Sequence, residues 1–285
     1  MTLERAERFV WQNARLLEQV VWQHLIKEPT PDRVVRALEA YRSNDGGLGY
    51  GLEPDVCAPT SQPLFVEFGL DTLTRCGIRA TGLTGALCDF LARHADMAAG
   101  IPTLLPTARD YPHAPHWEGD GPYARSLDRL IGLVGLANWQ GAVHPWLMEA
   151  VPACLEHLAT LEISDAHGLR HAFCLLESVA PHADVDSLFA RLAGLLERAD
   201  FFLADAPVTG YGLTPLDFAP TPDAYTRPLF GDGQIAAHLD DLAAQQEADG
   251  GWPIAWQPPS EAARWAWRAH RTVYAVATLR AYGRV

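Results

Sequence analysis

The sequence contains no uninterrupted apolar stretch of about 18 residues, the length that a transmembrane helix requires. Its first twenty residues mix Glu and Arg with apolar side chains, and they lack the apolar centre of a signal peptide. These two absences predict a cytoplasmic protein without a membrane-spanning segment.

Positive charge is also scarce, since 22 Lys and Arg stand against 35 Asp and Glu and give a net charge of −13. A nucleic-acid surface needs a basic stripe, and anionic lipid attracts basic segments. The charge therefore argues against nucleic acid as a partner and disfavours electrostatic binding to lipid. A hydrophobic content of 48% with 20% charged residues is typical of a globular protein.

Paired cysteines and a phosphate-binding loop are missing as well. The five cysteines form no CxxC motif, and their number is odd. In a long chain without a secretion signal they are expected to be reduced, and most of them buried. No Gly-rich loop ends in Lys-Ser or Lys-Thr, so a P-loop nucleotide site is not predicted.

One stretch occurs twice and organises the chain. Residues 49–60 read GYGLEPDVCAPT and residues 210–221 read GYGLTPLDFAPT, identical at eight of twelve positions without a gap. Their Gly and Pro content is typical of loops. The first copy carries Glu53 and Asp55, and the second carries Asp217. An internal repeat of this kind indicates a repeated structural unit.

Apolar residues recur at helical spacing around these loops, and no segment shows a convincing strand pattern. At least ten helices are predicted, and Pro181 is expected to end one of them. They cover residues 2–27, 31–43, 63–76, 81–97, 125–140, 146–160, 167–179, 184–203, 234–247 and 261–282. No linker interrupts them, so a single domain over residues 1–285 is expected. The loop at 100–124 is rich in Pro, Gly and aromatics, which favours a functional loop over a disordered one.

Three stretches carry a family signature. LEAYRSNDGGLG lies at 38–49, LAAQQEADGGW at 242–252 and AHRTVYA at 269–275. Together they resemble the repeat of squalene and hopene cyclases and of protein prenyltransferase β-subunits, although Arg42 stands where that repeat has Gln. The resemblance implies an all-α fold, an (α/α) toroid of five or six antiparallel hairpins with long Gly/Pro/aromatic loops at one end. It also implies a central cavity for a hydrophobic, isoprenoid-like small molecule.

Two active-site motifs of that family are incomplete in this chain. Alkene-protonating cyclases use Asp-x-Asp-Asp, whereas the nearest sequence, Asp184-Val185-Asp186-Ser187, lacks the last Asp and fits a helix start. Protein prenyltransferases bind zinc through Asp-x-Cys, and the chain has Asp55-Val56-Cys57. We therefore expect no metal or cofactor, with zinc at Asp55 and Cys57 as the alternative.

The loop carboxylates are the candidate catalytic groups, namely Asp55, Glu53 and Asp217. In a toroid the two loop copies can face each other across the cavity mouth, where neighbouring carboxylates raise one another's pKa and supply an acid and a base. The alternative is that these aspartates hold their own loops. The candidate substrate-binding residues are Tyr50, Glu67, His113, His116, Trp117, Tyr211, Trp252 and Trp256.

Three functions remain open at this point. The family resemblance favours an enzyme that acts on a hydrophobic isoprenoid-like molecule by carboxylate acid/base chemistry. A carbohydrate-active (α/α) barrel would instead need an open polar groove with two carboxylates. A non-enzymatic module that binds a lipid or a partner protein would need neither Asp55 nor Asp217 for binding. Trp252, with Gln245, Gln246 and Asp249 of the Gly-Gly turn, is expected above all to fix the fold.

Overall fold

The computed structural model describes residues 1–180 and 183–285 and is 58% helical. Twelve α-helices follow one another along the described chain. They are α1 (Leu3–Asn13), α2 (Leu16–Trp22), α3 (Pro31–Glu39), α4 (Pro63–Arg75), α5 (Thr81–His94), α6 (Leu127–Trp139), α7 (Pro145–Thr160), α8 (Ala166–Val179), α9 (Asp186–Leu196), α10 (Pro215–Phe218), α11 (Asp232–Ala244) and α12 (Glu261–Ala281). The predicted all-α class is confirmed. Pro181, expected to end a helix, lies outside the described residues.

Short elements fill the connections between these helices. A π-helical turn, Gln23–Lys27, continues α2, and two-residue strands β1 (Ile101–Pro102) and β2 (Arg125–Ser126) pair at the two ends of the long loop. Single 3₁₀ turns lie at Pro106–Ala108, Pro115–Trp117, Gly121–Tyr123 and Arg227–Leu229. Strands of two residues are too short to show an alternating pattern, which explains why the sequence did not predict them.

The first predicted helix, 2–27, is wrong in one respect, because it is interrupted between α1 and α2. Ala14 and Arg15 have extended backbone, with ψ of 148° and 165°. The Arg15 guanidinium donates to the Leu52 carbonyl at 2.8 Å and pairs with Glu18 at 2.6 Å. The interruption thus places a cation beneath the first loop copy, and this distant contact is invisible in local helical propensity.

The second large correction concerns the predicted helix 184–203, since α9 ends at Leu196. The following segment turns into the second loop copy, where the Leu203 N–H donates to the Leu213 carbonyl at 2.8 Å and the Leu213 N–H donates to the Phe201 carbonyl at 2.7 Å. Within that loop copy, α10 forms a single turn with Pro215 at its first position. Pro is favoured there because its missing N–H has no helical partner to lose.

The helices pack so that the two ends of the chain meet. α12 contacts α1, α2 and α11, while α6 packs on α4, α7 and α8. α6 and α8 approach closely because Gly132 and Gly135 face α8: a Cβ at these positions would lie 2.5 Å from the His171 ring and 2.6 Å from the Leu175 nitrogen. None of the helices in the described ranges is both long and apolar enough to cross a membrane.

Buried hydrogen bonds and an ion pair fix the Gly-Gly turn before α12. Trp252 is fully buried, its indole N–H donates to the Leu242 carbonyl at 2.8 Å, and its backbone N–H donates to the Thr272 hydroxyl at 3.0 Å. Arg268 binds both carboxylate oxygens of Asp249 at 2.7 and 2.8 Å. Trp252 and Asp249 therefore hold the fold. Because Trp252 is fully buried, it cannot make the substrate contact that the sequence predicted for it.

Gly250 in this turn gives a stability prediction with a matched control. It has φ of +98°, and a Cβ would lie 2.3 Å from the Arg5 carbonyl oxygen. Gly210 has φ of +82° but open space around the Cβ position. Gly210→Ala should lower the free energy of unfolding by about 1 kcal/mol through backbone strain alone. Gly250→Ala should lower it by roughly twice that, because the Arg5 backbone must also move; urea denaturation measures both. Equal effects would contradict the packing of Arg5 on this turn.

Candidate functional site

The first loop copy turns tightly and is hydrogen-bonded along its backbone to the long loop at 100–124. Tyr50 and Gly51 have positive φ, 59° and 64°. The chain then runs beside the long loop, where the Ala114 N–H donates to the Asp55 carbonyl at 2.8 Å and the Cys57 N–H donates to the Pro112 carbonyl at 2.9 Å. These backbone bonds place His116 next to the Asp55 carboxylate.

The Asp55 carboxylate is the centre of the candidate site. Its Oδ2 accepts a hydrogen bond from the Trp256 indole at 2.8 Å, and the His116 Nε2 lies 3.5 Å from the same atom. Its Oδ1 is enclosed and has no hydrogen-bond partner among the described residues. The Asp55 N–H donates to Glu53 Oε2 at 2.9 Å. Only 2% of Asp55 and 5% of Glu53 are exposed, so two carboxyl groups share one buried site.

Burial decides the protonation of this pair. It raises the pKa of Asp55 to about 6, although the neighbouring indoles of Trp267 and Trp256 oppose the rise. Of these two indoles, only Trp256 forms a hydrogen bond of normal geometry. Burial and then the adjacent Asp55 charge raise the pKa of Glu53 well above its ordinary value, against the attraction of Arg15. Asp55 can therefore change protonation near neutral pH, which suits acid/base chemistry.

Aromatic rings form one wall beside Asp55. Trp256 packs edge-on against Tyr211 and Trp267, with ring centres 5.8 and 5.2 Å apart. Trp267 in turn contacts Phe68 at 5.8 Å and His270 at 5.3 Å. Rings of this kind pack against apolar ligands and stabilise cations through their π-faces.

The second loop copy contributes Tyr211 to this wall but places Asp217 differently. Asp217 Oδ2 accepts hydrogen bonds from the Thr214 N–H and the Thr214 hydroxyl, at 2.7 and 2.8 Å. Asp217 thus caps α10 and holds its own loop, in agreement with the structural alternative for this residue. In the ungapped repeat the position equivalent to Asp55 is Leu216, so the repeat does not duplicate the carboxylate.

Tyr211 has a partner that the sequence did not indicate. Its hydroxyl forms a 2.9 Å hydrogen bond with His167 Nε2, and the two rings stack 5.7 Å apart at an angle of 13°. His167 Nδ1 lies 3.6 Å from Asp165, which caps α8. The only signal in the sequence was a His in the first turn of a helix, which is too common to single out.

Glu67 is paired inside the helix bundle. It forms an ion pair with Arg129, and its Oε1 lies 3.1 Å from His171 Nε2. His171 Nδ1 lies 2.9 Å from Asp128, so two carboxylates face two basic groups. Arg129 and His171 outweigh the effect of burial and hold the pKa of Glu67 well below its ordinary value. Glu67 is therefore ionised, and it lies in the same interior as Glu53.

The remaining predicted residues lie around the rim. Tyr50 is 60% exposed, and the His113 Nδ1 lies 2.7 Å from the Tyr111 carbonyl. Trp117 packs on His116 with ring centres 4.8 Å apart. Cys57 is exposed, whereas Asp55 beside it is buried, and the residues the structure describes include no cluster of three or more potential metal ligands.

Two cavities lie among the described residues, and neither is lined by Asp55. One of about 370 Å³, large enough for a small ligand, lies where α6 and α8 begin and is lined by Arg125, Asp128 and Asp165 among others. The second, of about 10 Å³, lies between α2, α4 and α12 beside His270 and Tyr274. We place the candidate site at Asp55 because the buried carboxyl pair and its unpartnered oxygen lie there.

The chain matches no protein-family model and no curated protein. It is similar to the crystal structure of a protein from Actinoplanes, with a TM-score of 0.57 and 17% sequence identity. That similarity covers 98% of this chain and 97% of the other. At this level of identity the likeness shows that the two proteins share a helical fold, and it carries no statement about function.

Proposed function

We propose that this protein is a proton-transferring enzyme, of the cyclase, isomerase or lyase type, with Asp55 as its acid and base. The observation that carries the proposal is the Asp55 carboxylate itself. One oxygen is fixed by Trp256, the other is enclosed without a partner, and its pKa of about 6 allows both protonation states near neutral pH. A residue of this kind destabilises the fold, which is common at functional sites.

The reaction we propose conserves protons. The Asp55 carboxylic acid gives its proton to an alkene carbon of the substrate, which forms a carbocation. The carboxylate then takes a proton from a carbon next to the cationic centre, a new double bond forms, and Asp55 returns to its starting state. Glu53, whose pKa burial raises well above its ordinary value, limits the charge on the pair. The π-faces of Trp256 and Trp267 stabilise the cation.

A hydrophobic, isoprenoid-like substrate fits this proposal best. The aromatic wall is apolar, and carbocation chemistry needs neutral π-systems rather than water around the reacting carbon. The Gly-Gly-Trp turn at 250–252 and the meeting of α12 with α1 and α2 support a closed (α/α) toroid. We propose that arrangement as the scaffold that brings Trp256 to Asp55, residues separated by 201 positions in the chain.

Deuterium incorporation tests the proposal whatever the product is. The protein is incubated in D₂O with isoprenoid hydrocarbons, alcohols and acids, and the recovered molecules are analysed by mass spectrometry. A protonation at carbon leaves deuterium in the molecule. We expect incorporation with the wild type and a loss of about 10²-fold or more with Asp55→Asn, a typical effect of removing an acid/base group.

Asp217→Asn is the matched control, because Asp217 lies in the other loop copy and binds only its own loop. It should retain deuterium incorporation. Equal rates for Asp55→Asn and the wild type would overturn the role of Asp55, and the absence of incorporation from every isoprenoid would overturn the substrate class.

A carbohydrate-active enzyme is the second candidate, and one observation favours it. Tyr211 and Phe201 are 47% and 55% exposed at the edge of the site, and exposed rings of this kind suit the apolar faces of sugars. Neutral and acidic oligosaccharides incubated in parallel distinguish the two candidates, since cleavage that depends on Asp55 would favour this one. Binding of any of these molecules without chemical change would indicate a non-enzymatic module.

A further inference from the structure

Two arginines in the interior near the aromatic wall are paired with a single carboxylate. Arg170 forms an ion pair with Asp71, and Arg75 lies 3.9 Å from the same carboxylate. The Arg75 guanidinium also lies over the Tyr274 ring, 4.0 Å from its centre. Two guanidinium groups therefore share one carboxylate on α4.

Arg271 adds a third guanidinium group, for which the described residues supply no counterion. It follows His270 on α12, one turn from both Trp267 and Tyr274, so it lies on the α12 face that carries the aromatic wall. Its Nε is enclosed without a hydrogen-bond partner, and Arg271 belongs to none of the ion pairs formed among the described residues. Arg271 as a whole is only partly buried, so an anion from solution can reach this unpaired guanidinium group.

Two other groups near Arg271 lack polar partners. The Tyr274 hydroxyl is enclosed without a hydrogen bond of normal geometry, and only 9% of the residue is exposed. His270 packs between two aromatic rings, edge-on to Tyr274 with centres 4.7 Å apart and tilted against Phe68 with centres 5.0 Å apart. Burial, together with four neighbouring guanidinium groups, lowers the pKa of His270 well below its ordinary value. These groups belong to Arg75, Arg15, Arg271 and Arg170.

Three of the other acids nearby already have partners of their own. Asp217, which attracts Arg170, is bound to Thr214 in its own loop. Glu67 is neutralised by Arg129 and His171. Arg15 already has Glu18 as its partner at 2.6 Å.

We propose that the guanidinium groups of Arg75, Arg170 and Arg271 bind an oxyanion of the substrate, a carboxylate or a phosphate group. The planar guanidinium fork matches both kinds of anion. Since Arg271 is one turn from Trp267, and Trp267 neighbours Asp55, a single molecule can hold its anionic group here and its reacting carbon at Asp55. The proposal rests on the proposed function only for the chemistry that follows binding.

Calorimetric titration of the whole protein with inorganic phosphate and with succinate tests the site, using chloride at matched ionic strength as the reference. We expect phosphate, succinate or both to bind, and the stronger of the two assigns a phosphate ester or an organic acid. Arg271→Met should weaken the binding at least tenfold. Arg264→Met, on the exposed side of the same helix and paired with Glu261, should not change it.

Thermal unfolding supplies a readout that a structural arginine would not give. If Arg271 awaits an anion, Arg271→Met should raise the melting temperature of the ligand-free protein and remove the stabilisation by the anion. A lower melting temperature with unchanged anion binding would overturn the proposal, as would the failure of both anions to bind the wild type. Asp55→Asn should still bind the anion, which separates failure at this site from failure of the proposed reaction.

Discussion

Replacing Glu67 by glutamine is expected to lower the free energy of unfolding by about 3–5 kcal/mol, the usual effect of breaking a buried ion pair on one side. Arg129 and His171 would both lose the charge of Glu67, only Asp128 would remain beside His171, and both groups are enclosed between α4, α6 and α8. Only 15% and 7% of their side chains are exposed, so water cannot replace the lost charge. Urea denaturation at pH 7 measures the change.

The pH dependence identifies the cause. Burial disfavours the charged imidazole, but Asp128 and Glu67 outweigh it and raise the pKa of His171 to about 9. This contribution to stability is complete below the unfolded value of about 6.5 and is lost as the pH rises through 9. The wild type should therefore lose stability between pH 6.5 and 9, and Glu67→Gln should lose less over that interval.

Asp240→Asn is the control for Glu67→Gln, since it breaks an exposed pair with Arg284. Asp240 is 70% exposed, and such pairs contribute little. Its effect should stay within about 0.5 kcal/mol. An effect of Glu67→Gln as small as that of the control would contradict the buried network.

Replacing Asp55 by asparagine should have the opposite effect on stability. Asparagine resembles the protonated acid, and Trp256 can donate to its carbonyl oxygen. The folded pKa of about 6 lies above the ordinary 3.8, so the contribution of Asp55 is complete below pH 3.8 and is lost as the pH rises through 6. Above pH 7 the ionised wild-type carboxylate costs about 2 kcal/mol after allowance for solvent screening.

Asp55→Asn should accordingly be more stable than the wild type at pH 7.5 by about that amount, and the difference should vanish near pH 4. Parallel urea denaturation of both proteins at several pH values measures it. Asp165→Ala is the comparison, because Asp165 caps α8 by accepting hydrogen bonds from the backbone N–H groups of His167 and Gly168, and alanine, which cannot accept them, should destabilise the protein. A destabilised Asp55→Asn at pH 7.5 would show that Asp55 serves the fold.

Local sequence patterns predicted most of the helices. Apolar residues at helical spacing and Pro or Gly at the ends locate α4, α6 and α12 to within two residues. The break at Ala14 and Arg15 could not be predicted, because both residues favour helices and the carbonyl that holds Arg15 belongs to Leu52, 37 residues away. Tertiary contacts of this kind override local propensity.

The sequence predicted the candidate site only in part, again because contacts between distant residues complete it. A loop with two acids and an unusual GYG sequence drew attention to Glu53 and Asp55, but the repeat suggested an equal role for Asp217, which caps α10 instead. Trp256 reaches Asp55 from a distant loop, and neither Arg271 nor His167 belongs to a recognisable motif. Their functions depend on which neighbours the fold gives them, and a single sequence does not encode that in its spacing.

The carboxyl resonance of Asp55 tests the central claim most directly. ¹³C NMR titration of carboxyl-labelled protein, with Asp55→Asn to assign the signal, measures the protonation of this one group. We predict a carboxyl group that titrates near pH 6 in the wild type and is absent from Asp55→Asn. An Asp55 signal that titrates at or below pH 4 would contradict the account, because a carboxylate ionised throughout the neutral range could not exchange a proton with a substrate in the manner proposed.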